Sequence, residues 1–123
     1  MDNRQAGSAG EDIAAGFLAR AGYQLRERNW RCREGEIDLV AVKDGYLVIV
    51  EVKARTAGTM YHPTANITPA KVKKLRRLGE QYMADHPDTG GLQPRFDVVA
   101  VELTPGAPAN APQGKVEHIE NAF

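Results

Sequence analysis

Disulfides are excluded at the outset, because the chain holds a single cysteine, Cys32. No internal crosslink can staple the fold, which agrees with a reducing compartment. No residue pattern marks a base beside Cys32, so it is read as a small inert side chain. Long apolar runs are equally missing. The longest strongly apolar stretch, 47–50, falls far short of the roughly 20 residues that a spanning helix needs. The polar opening MDNRQAGSAGED lacks the apolar core of a secretory leader. The expectation is a cytoplasmic protein with no membrane segment. Neither sign of charge dominates: 16 lysines and arginines balance 16 aspartates and glutamates. Net charge therefore gives no global pull towards nucleic acid. Histidines number only three, His62, His86 and His118. Their scatter matches no metal-ligand spacing, and they are expected at the surface.

What is present fits one soluble domain. The chain has 123 residues, 42% hydrophobic and 26% charged, enough to bury a core without help. No internal repeat or linker divides it, so residues 1–123 are taken as a single domain, with 1–7 expected to be flexible. The balanced charges are unevenly placed. Arg20, Arg26, Arg28, Arg31 and Arg33 crowd one stretch, and Lys71, Lys73, Lys74, Arg76 and Arg77 another. A neutral protein can still present a basic face.

Residues 8–21 read as a helix. Ser8 is a good N-cap, Glu11 completes a capping-box pattern, and Gly22 supplies the stop. Residues 23–31 read as a strand near a sheet edge, and 36–43 and 46–53 as two more. Asp44-Gly45 between the last two is a strong hairpin signal. Residues 55–67 form a loop with no recognisable functional pattern. Thr68-Pro69 opens a second helix whose buried stripe runs through Val72, Leu75, Gly79 and Tyr82. Residues 95–103 are a strand, 104–114 a surface loop rich in Pro, Ala and Gly, and 115–120 a short added strand. The order α-β-β-β-α-β implies an α/β fold, a mixed sheet with flanking helices.

The hairpin carries the first functional signal. With a two-residue turn Lys43 faces Tyr46, and counting outward puts Asp38 opposite Glu51 and Glu36 opposite Lys53. Alternation sets these four on one face, with Ile37, Leu39 and Ala41 against Val48, Val50 and Val52 on the other. Directly opposed Cβ atoms stand about 4.5–5.5 Å apart, so two carboxylates there repel unless something positive lies between them. A divalent cation fits, since Mg²⁺ favours one or two carboxylates completed by water and phosphate oxygens. Lys53, two residues beyond Glu51, is close enough to act on a water or a phosphate. A structural salt-bridge cluster of Asp38 and Glu51 with Lys53 is the alternative.

The runs Glu36-Ile37-Asp38-Leu39-Val40 and Val50-Glu51-Val52-Lys53 resemble the PD-(D/E)xK pattern of restriction-endonuclease-like nucleases, with Ile37 where the pattern has Pro. More widely, GEDIAAGFLARAGY, RNWRCREGEIDLV, VEVKAR, ITPAKVKKL, RFDVVAV and HIENAF resemble the YraN family of bacterial proteins. That likeness spans Gly10 to Phe123. The family is usually described as related to archaeal Holliday-junction resolvases. The resemblance implies a restriction-endonuclease-like fold and a DNA endonuclease using Mg²⁺ or Mn²⁺. Asp38 and Glu51 match the metal-binding acids, the Val52 carbonyl the third protein ligand, and Lys53 the lysine of the pattern. Glu11 matches a helix glutamate that resolvase-like relatives bring to the site, although the capping box offers it a different role. A catalytically inactive nucleic-acid-binding module, serving DNA processing or uptake, is the alternative function. A junction-cutting enzyme is expected to be a homodimer, since its two cuts are related by a two-fold axis.

Arg55, two residues past Lys53, is the preferred phosphate clamp. Lys71 and Lys74, three residues apart on the second helix, are candidate phosphate contacts. Trp30 could stack on a base but is more simply a cover for the core edge. The Arg95-Phe96-Asp97 start of a strand could reach the site, but Asp97 is read first as a structural carboxylate.

Overall fold

The computed structural model describes residues 3–56, 68–108 and 110–123. Helix α1 (Asn3–Arg20) leads into β1 (Gln24–Cys32), β2 (Gly35–Lys43) and β3 (Tyr46–Thr56). Helix α2 (Pro69–Asp85) and a single 3₁₀ turn (Pro87–Thr89) precede β4 (Gln93–Leu103) and β5 (Gly114–Ile119). The strands form one sheet in the order β1-β2-β3-β4-β5. All neighbours are antiparallel except β3 and β4, which are parallel. A parallel pair needs a crossover, and α2 lies on that connection. The expected order α-β-β-β-α-β is present, with the added strand at the β4 edge. No helix among the described residues is long and apolar enough to cross a membrane.

Two apolar layers hold the sheet between the helices. Ala14, Ala15 and Leu18 of α1 cover Leu39, Ala41, Val48, Val50, Val99 and Val101. Leu78 and Tyr82 of α2 cover Ile37, Val40, Leu47, Ile49 and Phe96. Val48 and Val50 thus face one helix, Leu47 and Ile49 the other, which is the alternation of a strand buried on both sides. The Asp44-Gly45 turn takes positive φ at both residues, 52° and 82°, the conformation that suits a two-residue hairpin. Thr68 caps α2, its hydroxyl accepting from the Lys71 amide at 3.2 Å, with Pro69 in the first turn.

Several boundaries differ from the sequence reading. Helix α1 begins at Asn3, so residues 3–7 are helical, while residues 1 and 2 lie outside the described residues. Ser8 is inside the helix rather than at its start, and no capping box forms with Glu11. The reason is tertiary packing rather than local propensity: Ala9 is buried and Gly10 lies against Ala54 of β3, so the first turns are held on the sheet and the helix runs past the cap signal. The loop read over 55–67 starts later, because β3 runs on to Thr56 alongside β4. Residues 57–67, with His62, lie outside the described residues.

The alternation also slips at one place. The hairpin ladder keeps the expected register from Lys43↔Tyr46 to Leu39↔Val50 and ends there. Ile37 packs in the α2 layer and Leu39 in the α1 layer, although residues two apart in a regular strand share a face. Glu36 does not oppose Lys53; it pairs with Arg31 of β1, with Arg31 Nε 2.9 Å from its carboxylate. Beyond Leu39 the sheet continues through β1 rather than β3.

Candidate active site

Glu11, Asp38, Glu51 and Lys53 come from α1, β2 and β3. Gly10 makes the approach of α1 possible: a Cβ there would collide with Ala54 of β3. The helix backbone thus comes down onto the strand that carries Glu51 and Lys53, and Glu11 follows directly. Asp38 lies just past the end of the β2–β3 ladder. Its Oδ2 accepts a hydrogen bond from the Val52 amide at 2.8 Å. The carboxylate therefore takes a position that a backbone carbonyl would occupy in a continuing ladder. The expected direct opposition of Asp38 and Glu51 is replaced by this side-chain bridge.

The electrostatics show an acid cluster short of donors. Burial pushes the Asp38 carboxyl up to about 6, against the pull of the Val52 amide, and the nearby Glu11, Glu51 and Glu36 push it the same way. Glu11 is also raised, first by burial and then by Glu36 and Asp12; the Asn29 amide and Arg28 offset only part of this. Glu51 Oε1 lies 3.2 Å from Lys53 Nζ. Among the described residues, Glu11 Oε1 and Glu51 Oε2 are buried side-chain oxygens without a hydrogen-bond partner. Each such group costs about 1–3 kcal/mol when nothing answers it.

Such oxygens suit a hard divalent cation. Among the described residues no three Asp, Glu, His or Cys side chains converge into a ready-made metal cage. A cation between Asp38 and Glu51 would complete its shell with water, carbonyl and phosphate oxygens, which is how Mg²⁺ is ordinarily held. Residues 38, 51 and 52 fit that donor set, and Glu11 has a free oxygen to add.

The cations expected around the site are spread more widely. Arg55 follows Lys53 by two residues on β3, and its Nη2 lies 3.7 Å from Glu102 of β4. Lys71 and Lys74 are exposed on the first turns of α2. The Lys74 stem passes over Gly35, where a Cβ would stand 3.0 Å from its Cε, so Lys74 lies above the start of β2. Trp30 is packed edge-on against Tyr82, ring centroids 5.3 Å apart, and covers the core edge.

Sequence reasoning missed how thoroughly a second acid is locked. Asp97 is fully inaccessible. It accepts from Arg95 Nε at 3.0 Å and Nη2 at 2.8 Å, from the Asn121 amide at 3.0 Å, and from His118 Nε2 at 2.7 Å. Burial raises its pKa, but these donors together outweigh burial and leave it below the usual carboxylate range. Its reading as a structural carboxylate is in keeping with this. His118, expected at the surface, is instead 11% exposed at its side chain, because it ties β5 to β4 through Asp97. The i, i+2 pair Arg95 and Asp97 on one strand face was the available signal.

Comparison with known proteins agrees with the extent of the sequence likeness. Residues 10–101 match the family described as "Uncharacterised protein family UPF0102". A UPF0102 protein of Frankia casuarinae is 44% identical over 118 residues, covering 95% of this chain and 94% of its own. One from Streptomyces griseus is 49% identical over 106 residues, 83% of this chain and 87% of its own. One from Clavibacter michiganensis is 50% identical over 95 residues, 77% of this chain and 80% of its own. With close likeness over nearly its whole length, the chain belongs to the UPF0102 family.

Proposed function

We propose that this protein is a nuclease that hydrolyses DNA phosphodiester bonds with Mg²⁺ or Mn²⁺, and that branched or junction DNA is among its substrates. One observation carries the reading: two buried carboxylate oxygens, on Glu11 and Glu51, lack donors among the described residues beside an Asp38 carboxyl raised to about 6, with Lys53 at 3.2 Å from Glu51. The resemblance of 36–40 and 50–53 to the PD-(D/E)xK pattern supports it, and the mixed sheet is compatible with a restriction-endonuclease-like fold.

Asp38, Glu51 and the Val52 carbonyl would hold the cation, with Glu11 beside them. Bound there, a divalent ion supplies Lewis acidity to a phosphate oxygen and makes a coordinated water more acidic. Lys53 brings its ammonium to the same place, where it would orient the attacking water or stabilise charge developing on the phosphate; to deprotonate the water it would first have to give up its own proton and act as the neutral amine. Lys71 and Lys74 would contact backbone phosphates, which position DNA without reading its sequence. Arg55 would do the same, the phosphate competing with Glu102. A homodimer would present two such sites to a junction.

The second reading is a nucleic-acid-binding module without catalysis, favoured by the engagement of Lys53 with Glu51, as in a structural ion pair. The two separate on incubation with branched, single-stranded and duplex DNA in Mg²⁺, Mn²⁺ or chelator. The nuclease cuts with metal and not with chelator. Lys53→Ala lowers turnover about 10²–10³-fold, a magnitude usual for a group stabilising transition-state charge, with DNA and metal affinity nearly intact. DNA binding without cleavage under every condition would leave the binding module.

A further inference from the structure

The alternation slip at Asp38 has a counterpart in the neighbouring strand. In β1, Asn29 has φ 53°, a conformation that non-glycine residues seldom adopt inside a strand. It stands between the pairs Arg28↔Leu39 and Trp30↔Ile37, and so at the level of Asp38. Its two neighbours should share a face, yet Arg28 Nη2 reaches Asp12 of α1 at 2.7 Å while Trp30 packs on Tyr82 of α2. Across the ladder, Leu39 lies in the α1 layer and Ile37 in the α2 layer. Both strands therefore change face at the same level. A regular β2 would send Asp38 into the α2 layer with Val40. The slip turns it to the Val52 amide and to the neighbourhood of Glu11. Local irregularities of this kind re-aim side chains beside functional sites.

We infer that Asn29 is a positioning residue: its left-handed backbone breaks the alternation of β1 and β2 together and so aims the Asp38 carboxylate into the acid cluster. Asn suits the position because its short polar side chain tolerates this region better than other L residues. A β-branched residue resists it most. The inference deepens the proposed nuclease site and rests on that reading for its functional consequence. Its geometric content, the aim of Asp38, stands apart from any metal.

The test compares wild type with Asn29→Gly, Asn29→Ala and Asn29→Val in the full chain. Two quantities are read: hydrogen exchange of the Val52 amide in metal-free protein, and Mn²⁺ affinity by calorimetry, with Asp38→Ala as the reference for a lost acceptor. Asn29→Gly, which adopts positive φ freely, should keep Val52 protected. Asn29→Gly also loses the side-chain hydrogen bond to Glu11, as do Asn29→Ala and Asn29→Val, so the backbone effect is read from the difference among them. Asn29→Val should bind Mn²⁺ about 10–100-fold more weakly than Asn29→Gly, the usual range for residues that orient metal ligands. The Val52 amide of Asn29→Val should exchange as fast as in Asp38→Ala. If Asn29→Val does not fold, Asn29→Ala falls between wild type and the reference. Val52 protection that is the same in Asn29→Gly and in Asn29→Ala or Asn29→Val overturns the inference. A wild type that binds no Mn²⁺ defeats the nuclease reading, while the Val52 amide still decides the role of Asn29.

Discussion

Asp38 and Asp97 are both aspartates in strands of one sheet, Asp97 fully and Asp38 partly withdrawn from water, and their carboxyl groups are perturbed in opposite directions. Asp97 is surrounded by donors from Arg95, His118 and the Asn121 amide, and its pKa is lowered despite burial. Asp38 has the Val52 amide and three acidic neighbours, and burial carries it to about 6. The desolvation penalty works against ionisation in both. What differs is whether the fold supplies the compensating donors. Where it does, the acid clamps β5 and the following residues onto β4. Where donors are short among the described residues, the buried acids keep charge that the fold does not answer there, and a cation bound as proposed above would relieve it.

The largest effect is expected on breaking the satisfied end. Asp97→Ala strands the Arg95 guanidinium in a place where it is 14% exposed. The loss should be about 3–5 kcal/mol, the range for removing one partner of a buried pair. Denaturant unfolding measures it. A loss below about 1 kcal/mol would mean that solvent, rather than Asp97, satisfies Arg95.

The unsatisfied end should respond with the opposite sign. The folded pKa of Asp38, about 6, lies above the ordinary value of 3.8. The native state therefore holds this proton more tightly than the unfolded chain does. Metal-free stability should fall as pH rises from about 4 through about 6, by on the order of 3 kcal/mol at most. Asp38→Asn keeps an oxygen for the Val52 amide and carries no charge. It should remove Asp38's share of this slope, leaving the part due to Glu11, whose carboxyl is also raised, melt higher than wild type at pH 7–8 without metal, and lose any stabilisation by Mn²⁺. Asp97 has a lowered folded pKa, so its contribution is present above the ordinary value and is lost as the pH falls below it. Melting curves of Asp38→Asn and wild type across pH 4–8 sharpen the contrast; parallel curves would refute it.

The smallest effect is expected on the exposed basic turns of α2. Lys71→Ala with Lys74→Ala should leave stability within about 0.5 kcal/mol, as is usual for surface changes. DNA binding should weaken alike for all sequences, and the slope of log affinity against log salt should flatten by about 1–2. An unchanged slope would move the phosphate contacts to the arginines of β1.

Much of this was legible along the chain because the signals are local. Asp44-Gly45 specifies its turn through backbone sterics, Thr68-Pro69 specifies a helix start, and the Leu47–Val50 run alternates into two apolar layers. Those signals alone carry the hairpin register correctly as far as Leu39↔Val50, and with it the neighbourhood of Asp38, Glu51 and Lys53. The register beyond that pair was not legible, because Asn29, in a different strand, turns the face on which Asp38 lies. Ser8 with Glu11 looked like a cap, and only the helix's continuation from Asn3, with Gly10 against Ala54, turned Glu11 into a neighbour of Asp38. The lock on Asp97 joins Tyr23, Arg95 and His118 from three parts of the chain. Periodicity and turn chemistry act over a few residues. Whether a buried acid is answered by donors depends on which distant strands meet it, and that was decided only when the sheet closed around them.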